Sequence, residues 1–464
     1  MPQTLSSVPD DVFIEILGHL PALTVLRCRT VCRRFYLVSK IRSVWIKVSR
    51  MTKYPSPPIE LKSLPTPELE MRLAQAENTY ERWNDPRPST FRFRKGLSLS
   101  SPTPGSCIIS FYGNMLPYFV LVTQGMPRLT VWYHKGSSTV VFEHELPISC
   151  GQVVRHIDPR TGALYIVGVQ PNSDEDDYMT KTIKVIKFEV SRAGAITSTL
   201  EYEFLWRSPN IIQVHLAGRH MILAELIASP QISTLIDLET RQTVLYSLPD
   251  EKLSGLIRWM DVAYQTPSPF ILQINKGTRF FLLTPPSSKF PQDSEALNFQ
   301  NTFHGALPNL LNRRVYTLPY SDNSVLLVGV NPQGARSMNL QLILITLEDD
   351  TPTCKLIQSI PFQGICVSFF IAPCSTYSES TLGILSVGPA FVPDRSGDKH
   401  YAVTVHLGRG GTSGKPSLAT REMDLSITGT IRSFEPYLGQ ILLEDMHERG
   451  QSSQLIEMDF ALTV

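Results

Sequence analysis

The chain has 464 residues, which at roughly 100–200 residues per domain allows two or three domains. Hydrophobic residues make up 42% of it and the mean hydropathy is -0.03, values typical of a folded, soluble chain. The 43 Lys and Arg and 42 Asp and Glu give a net charge of +1, which argues against a nucleic-acid or anionic-membrane partner. The charge is uneven, because residues 1–50 hold eight Lys/Arg and three Asp/Glu.

The N-terminus, the apolar runs and the cysteines argue against further classes. Asp10 and Asp11 precede the first apolar run and no basic region comes before them, so we expect no secretory signal. No apolar run approaches the roughly 18 residues of a membrane-spanning helix. The seven cysteines contain no CxxC pair, which argues against a disulfide framework or a zinc site. We therefore expect a cytoplasmic or nuclear protein without membrane contact.

The N-terminal residues 1–48 are predicted to form a small helical domain. Pro9 suits a first helical turn and Pro21 ends the first apolar pattern. A second short helix is predicted around 23–31 and a third from Phe35 through Trp45. The first helix is indicated by apolar residues at helical spacing: Val12, Phe13, Ile16, Leu17 and Leu20.

Residues 49–104 are predicted to be a connector with one helix. Nine prolines fall within 54–104, far more than average usage gives. Thr66 and Pro67 are predicted as the cap and first position of the helix. A narrow apolar seam needs a partner surface, so we expect the helix to be docked. The seam consists of Leu69, Leu73, Ala76, Tyr80 and Trp83.

From residue 105 to 464 the apolar pattern has the period of β-strands. Turn residues bound the strand-like runs, and the hairpins group into seven units starting near 105, 151, 208, 256, 300, 363 and 428. Seven units of this length favour a seven-bladed β-propeller, with a pair of β-sandwiches as the alternative. The lone run Cys107–Phe111 is predicted to close the ring by pairing with strands around 440–460. The clearest runs are 118–123, 129–133, 163–169, 182–190, 233–238, 243–248, 325–330, 340–347, 401–407 and 454–460.

The N-terminal segment resembles the F-box family. That family has an L-P pair ahead of an acidic residue, apolar pairs at helical spacing, a V-C-[RK]-x-[WF] motif and a later Trp. Val8, Thr24 and Phe35 depart from its commonest residues. The end of the connector helix, Glu81-Arg82-Trp83, resembles the linker of F-box proteins abundant in mushroom-forming fungi. The residues at the positions of this pattern are Leu5, Val8, Pro9, Asp11, Val12, Phe13, Ile16, Leu17, Leu20, Pro21, Leu26, Val31, Cys32, Arg33, Arg34, Phe35 and Trp45.

The resemblance implies a partner and a function. F-box domains bind the Skp-type adaptor of cullin–RING ubiquitin ligases. So short a segment rarely hides all its apolar residues by itself, which agrees with a partner. We expect a non-catalytic substrate receptor whose β region holds a protein target of unknown identity. The alternatives are an interaction scaffold with an F-box-like cap, and an enzyme using the propeller funnel. The expected adaptor contacts are Val8, Pro9, Ile16, Leu17, Leu26, Val31, Cys32 and Phe35.

Motifs for catalysis, cofactors and metals do not reach their required patterns. The Gly-rich run 408–415 resembles a phosphate loop, but Arg409 and Pro416 stand where that motif needs Gly and Ser or Thr. The acidic run 174–177 lacks the Gly and the distal Glu of a calcium loop. No HExxH or GxSxG motif is present. The sequence therefore predicts no catalytic, cofactor-binding or metal-binding residue.

Overall fold

The structure is a computed structural model that describes the helices, the strands and their adjoining residues. The phosphate-loop-like residues 409–413 and the acidic run 174–177 lie outside this set. The described residues are 8–51, 64–85, 93–99, 107–112, 117–122, 128–135, 138–145, 152–157, 164–171, 180–190, 196–207, 212–217, 220–225, 232–238, 243–247, 257–263, 270–275, 279–283, 302–306, 315–321, 324–348, 351–372, 379–389, 398–408, 414–423, 430–435, 440–445 and 452–458.

Residues 8–51, here called the helical head, contain four short helices. They are α1 (Asp10–Gly18), α2 (Ala22–Cys28), α3 (Arg33–Val38) and α4 (Arg42–Met51). The predicted third helix is therefore two helices. Its interruption lies at Ser39, whose carbonyl accepts the indole N–H of Trp45 at 2.7 Å. The buried core of the head consists of Phe13, Leu17, Ala22, Val25, Val38, Val44, Trp45 and Val48.

The connector helix is α5 (Thr66–Asn84). Thr66 is its first residue and Pro65 occupies the cap position, so the prediction of Thr66 as the cap is wrong by one residue. The first half of α5 packs into the core of the head through Leu69 and Leu73. Its second half packs against the β region through Tyr80 and Trp83. The predicted seam is thus docked on two surfaces in succession.

In the residues that the structure describes, the β region forms seven four-stranded antiparallel sheets. The first three are β2–β5 (Cys107–Tyr112, Pro117–Val122, Arg128–Lys135, Ser138–Glu145), β6–β9 (Gln152–Ile157, Leu164–Pro171, Thr180–Val190, Ile196–Arg207) and β10–β13 (Ile212–Ala217, His220–Glu225, Ile232–Asp237, Thr243–Ser247). The next three are β14–β17 (Ile257–Ala263, Phe270–Asn275, Arg279–Leu283, Thr302–Ala306), β18–β21 (Val315–Ser321, Ser324–Pro332, Ser337–Glu348, Thr351–Gln363) and β22–β25 (Ile365–Ile371, Ser380–Gly388, Lys399–His406, Ser417–Met423). The seventh contains β26–β28 (Thr430–Glu435, Gln440–Asp445, Ser452–Met458) and β1 (Phe93–Leu99).

The seventh sheet joins the two ends of the β region. Strand β1 pairs with β28, with Phe93 opposite Met458 and Leu99 opposite Ser453. The predicted closure by Cys107–Phe111 is wrong, because those residues lie in β2, which pairs with β3. The run Phe93–Leu99 reads FRKGLSL. Because it contains several polar residues and Gly96, it lacks the apolar pattern by which a strand is recognised in sequence. Strand β1 lies inside the predicted connector 49–104, and hydrogen bonds tie that stretch to the β region.

Neighbouring sheets pack face to face. Their first strands touch in succession, from β6 to β10, β14 and β18, and from β22 to β26 and β2. Strand β23 is buried along its whole length, because one face packs towards the fifth sheet and the other towards the seventh. Six predicted unit starts lie close to the first strand of a sheet. The start near 300 is wrong, because 302–306 completes the fourth sheet and the fifth begins at Val315.

Candidate protein-binding surface on the helical head

The helical head leaves large apolar side chains exposed beside a complete core. Ile16 is 50% exposed, Leu37 55% and Val31 67%, whereas Leu17 is fully buried. On α1, Phe13 and Leu17 face inward at a spacing of four residues, so Val12 and Ile16 form a second, outward stripe. Apolar side chains gathered on one small domain are typical of a protein-binding surface. Ahead of α4, the exposed set is Val12, Ile16, Val31, Tyr36, Leu37 and Ile41.

The eight residues expected from sequence to contact an adaptor divide between the surface and the interior. Pro9, Ile16, Val31 and Cys32 are exposed. Leu17 lies in the core, so it supports the head from within. The partly buried Val8, Leu26 and Phe35 pack against the same core, and Phe35 meets Phe13 edge to face with ring centroids 5.1 Å apart.

Sequence reasoning missed three exposed members of the surface. Tyr36, Leu37 and Ile41 are not among the expected contacts, although they are exposed. The available signal was helical spacing around α3, since Phe35 and Val38 face inward while Tyr36 and Leu37 lie on the other side. The sequence motif ends at Phe35, so it does not indicate Tyr36 or Leu37.

Arg34 holds the exposed helices together at the start of the surface. Its guanidinium donates hydrogen bonds to Asp10 Oδ1 from Nε at 3.0 Å and from Nη2 at 2.7 Å, and a further one to the Val8 carbonyl. It also lies 4.6 Å from the centroid of the Phe13 ring, a cation–π distance. These contacts tie α3 to the start of α1 and so define the relative position of their exposed faces.

Arg29 ties the head to α5. Its Nη2 donates to Glu70 Oε2 at 2.7 Å, Nη1 donates to the other oxygen of that carboxylate, and Nε donates to Ser39 Oγ at 2.8 Å. The two-pronged ion pair is largely shielded from solvent and has strong geometric specificity. A second tie is the hydrogen bond from the Leu23 backbone N–H to the buried Glu77 carboxylate, at 2.8 Å.

The other end of α5 is anchored between the sixth and seventh sheets. Trp83 stacks on Phe434 with centroids 5.1 Å apart, and its indole N–H donates to the Val403 carbonyl at 3.3 Å. Arg421 donates to the carbonyls of Trp83 at 3.0 Å, of Arg82 at 3.3 Å and of Asp85. A cation there satisfies the last carbonyls of a helix and complements its dipole. Helix α5 therefore connects the exposed surface to the β region through packed contacts.

The described residues offer one arrangement that resembles a catalytic pair. Ser368 Oγ donates to Ser386 Oγ at 2.8 Å, and Ser386 Oγ lies 2.9 Å from His400 Nδ1. All three side chains are buried, and desolvation lowers the pKa of His400 from 6.5 to about 4. Because the group is closed to solvent, we interpret it as a hydrogen-bonded row across the sixth sheet. Across the residues the structure describes, no three His, Cys, Asp or Glu could together hold a metal ion.

A comparison with models of protein families finds a match for the helical head. Residues 5–51 match the model of the F-box-like family, so the chain carries an F-box-like domain, and a large all-β region follows it. No curated protein sequence matches the chain. In the described part of the chain, no helix has both the length and the hydropathy needed to cross a bilayer.

Solved structures resemble the chain only distantly. BBS1N from a complex with ARL6DN has a TM-score of 0.41 at 9% identity, over 79% of this chain and 95% of that chain. An apocarotenoid oxygenase from Synechocystis has a TM-score of 0.35 at 8% identity, over 70% and 72%. An oligogalacturonate lyase has a TM-score of 0.35 at 10% identity, over 78% and 98%. Because these three scores lie below 0.5, the ligands and activities of these proteins do not transfer to this chain.

Proposed function

We propose that this protein is the substrate-recognition subunit of a Skp–cullin–F-box ubiquitin ligase. The observation that carries the proposal is the exposed apolar surface of the helical head, which lies within residues 5–51, the stretch that matches the F-box-like model. An adaptor bound there would connect the chain to a cullin. The β region would hold a protein target, and ubiquitin transfer would depend on positioning rather than on catalytic residues of this chain. We place this activity in the cytoplasm or nucleus.

We further propose that the seven sheets are the blades of a closed β-propeller. The support is that each described sheet has four strands, that first strands touch from β6 through β10 and β14 to β18 and from β22 through β26 to β2, and that the last sheet takes its fourth strand from the start of the β region. A ring of this kind presents loops on two faces, either of which offers a site for a target. The seam of α5 would then set the distance from the adaptor to that target.

The adaptor test uses two exposed side chains of the head. Val31→Asp combined with Leu37→Asp places two charges in the proposed contact while leaving the core untouched. Because each side chain is more than half exposed, we expect each to contribute roughly 1–2 kcal/mol on burial. Adaptor affinity, measured by calorimetry, should therefore fall by about a hundredfold.

The matched control changes two exposed leucines of the β region. Leu205→Asp with Leu356→Asp introduces the same charges on outer strands β9 and β21. This variant should bind the adaptor like wild type, and both variants should keep the wild-type melting temperature. Equal adaptor binding by wild type and the head variant would refute the ligase proposal. Adaptor binding that never recruits a cullin would favour the scaffold alternative.

A further inference from the structure

Strand β9 is a long outer strand with an open edge. It is the outermost strand of the second sheet, and among the described residues it pairs with β8 alone. Its 12 residues read ITSTLEYEFLWR, with neither the proline nor the lysine that often prevents an edge strand from pairing. A bulge lies opposite the step from Val185 to Ile186, and beyond it Tyr202–Arg207 forms an uninterrupted run. This run can accept a further strand through its outward backbone N–H and C=O groups.

Other outer strands of the β region are protected against such pairing. Strand β21 has 13 residues, but Pro352 and Pro361 lack the N–H that a neighbouring strand would need. The edge of β25 is contacted by the Gln358 side chain, which hydrogen-bonds with the backbone of Leu418. Strand β9 has neither kind of protection along Tyr202–Arg207.

The two faces of this run differ in burial. One face is aromatic and packs against the core shared by the second and third sheets. Its residues are Tyr202, Phe204 and Trp206. Because side chains alternate along a strand, Glu203, Leu205 and Arg207 lie on the other face. All three are exposed, and Leu205 is 71% exposed.

The run is complementary to itself when two copies lie antiparallel. With a two-fold axis at Leu205, the two Leu205 side chains lie opposite each other, and Glu203 of each copy lies opposite Arg207 of the other. Phe204 and Trp206 are then opposite each other as well. Opposite charges and aromatic pairs at directly opposed positions stabilise a sheet.

Other positions of the axis are less favourable. An axis at Phe204 places Glu203 opposite Leu205, and an axis at Glu203 places two carboxylates face to face, which is destabilising. An axis between two residues would place outward backbone groups of one copy opposite inward groups of the other. Charge complementarity therefore selects the axis at Leu205.

We infer that β9 is a self-association edge, through which two copies of this protein pair antiparallel along Glu203–Arg207. The contact joins two second sheets into one sheet of eight strands and does not depend on the ligase proposal. Both copies use the same edge, so the assembly closes at two chains. Among the described residues, Arg207 contacts no carboxylate, whereas Glu203 already lies 3.3 Å from Lys184 Nζ. A second copy supplies the carboxylate for Arg207.

The test measures the mass of the full-length protein by sedimentation equilibrium. Because the contact is short, we expect a dissociation constant on the order of 10 µM, so the series runs from about 1 µM to about 200 µM. The wild-type mass should rise from the 52.1 kDa of one chain towards twice that value. Arg207→Glu places like charges opposite each other at two points and should weaken association at least about tenfold. The control Lys355→Glu makes the same charge change on the exposed side of β21 and should associate like wild type.

A mixture of two variants tests the axis itself. Glu203→Arg alone should associate as weakly as Arg207→Glu alone, because it places arginines opposite each other. In an equal mixture, each copy of one variant meets opposite charges on the other. Association of the mixture should therefore return to within about threefold of wild type. A surface elsewhere on the molecule would not produce this recovery.

The outcomes decide the inference separately from the ligase proposal. A wild-type protein that stays monomeric up to about 200 µM overturns it, as does association that Arg207→Glu leaves unchanged or that the mixture fails to restore. Should either charge variant melt at a lower temperature, Leu205→Lys replaces it, because that side chain is exposed and a lysine at this edge should also abolish association. Adaptor binding should be the same in all these variants, so failure of one proposal leaves the other intact.

Discussion

At the scale of single residues, the neighbours Ile16 and Leu17 differ in burial and therefore in role. Ile16 is half exposed on α1, and Leu17 is fully buried within the core of the head. Sequence periodicity places both in one apolar stripe. Only the packing of the other helices shows which of the two remains available to a partner.

Alanine substitutions at these two positions should separate binding from folding. Leu17→Ala leaves a cavity and should lower the stability of the head by about 2–5 kcal/mol, seen as a lower unfolding midpoint in urea. Ile16→Ala removes exposed atoms, so the midpoint should stay unchanged while adaptor affinity falls several-fold. A large stability loss in Ile16→Ala, or none in Leu17→Ala, would contradict the assignment.

A second residue-scale prediction concerns His400. Burial holds its folded pKa at about 4, against 6.5 in a solvated chain. Between these two pH values His400 is protonated in the unfolded chain and neutral in the folded chain. The free energy of unfolding should therefore fall as pH drops from about 6.5 to about 4. At about 1.4 kcal/mol for each pKa unit, the full loss is of order 3 kcal/mol.

Urea unfolding across this pH range measures the effect. His406, on the same strand, also has a pKa lowered by burial and contributes in the same direction. The control His400→Asn can still hydrogen-bond Ser386 but does not titrate, so its stability should change less with pH than that of wild type. Parallel pH profiles for the two proteins would show that His400 is not the source.

At the scale of elements, α5 connects two separate cores. Its first half contributes Leu69 and Leu73 to the head, and Trp83 lies among residues of the sixth and seventh sheets.

Gln358 connects β21 to β25. Its side-chain amide oxygen accepts the Leu418 backbone N–H at 2.7 Å, and its amide nitrogen donates to the Leu418 carbonyl at 2.9 Å. That contact occupies the edge of β25, which would otherwise expose unpaired backbone groups.

Trp83→Ala should destabilise the β region as well as the connector. Removing a fully buried indole typically costs about 3–5 kcal/mol, so the main thermal transition should shift to lower temperature. Trp83→Phe is the control, because it keeps an aromatic ring against Phe434 and loses the hydrogen bond to Val403. The loss of stability in Trp83→Phe should be clearly smaller than in Trp83→Ala. A β region that melts normally in Trp83→Ala would show that α5 is not part of its core.

At the scale of the whole molecule, the two ends of the β region share one sheet. Strand β28 lies between β27 and β1, so it holds the first strand of the region to the last. Loss of β28 would leave β1 without its partner and expose an edge of β27. The stability of the seventh sheet therefore depends on both ends of the chain at once.

Deletion of residues 452–464 should abolish cooperative unfolding of the β region, as followed by calorimetry. The control deletion, 459–464, starts after Met458 and leaves β28 whole, so it should melt like wild type. A chain that begins at residue 105 lacks both β1 and α5 and should be destabilised as well. A normal transition after deletion of 452–464 would contradict closure through β28.

Local patterns predicted much of this protein from sequence alone. Apolar residues at helical spacing and the F-box motif indicated the helical head, and strand-like runs such as 325–330 and 401–407 predicted observed strands. These signals depend on residues that are close along the chain, where backbone geometry determines which side chains share a face. The seam of α5 and its need for a partner surface were visible in the same way.

Only the tertiary structure decided which distant residues complete those elements. The weakly patterned β1 becomes a strand because β28, more than three hundred residues later, supplies its hydrogen-bond partners. Trp83 receives its partners Val403 and Phe434 from equally far along the chain, and His400 is desolvated by the packing of a whole sheet. Burial and pairing depend on what lies nearby in space, and a short-range pattern does not contain that information.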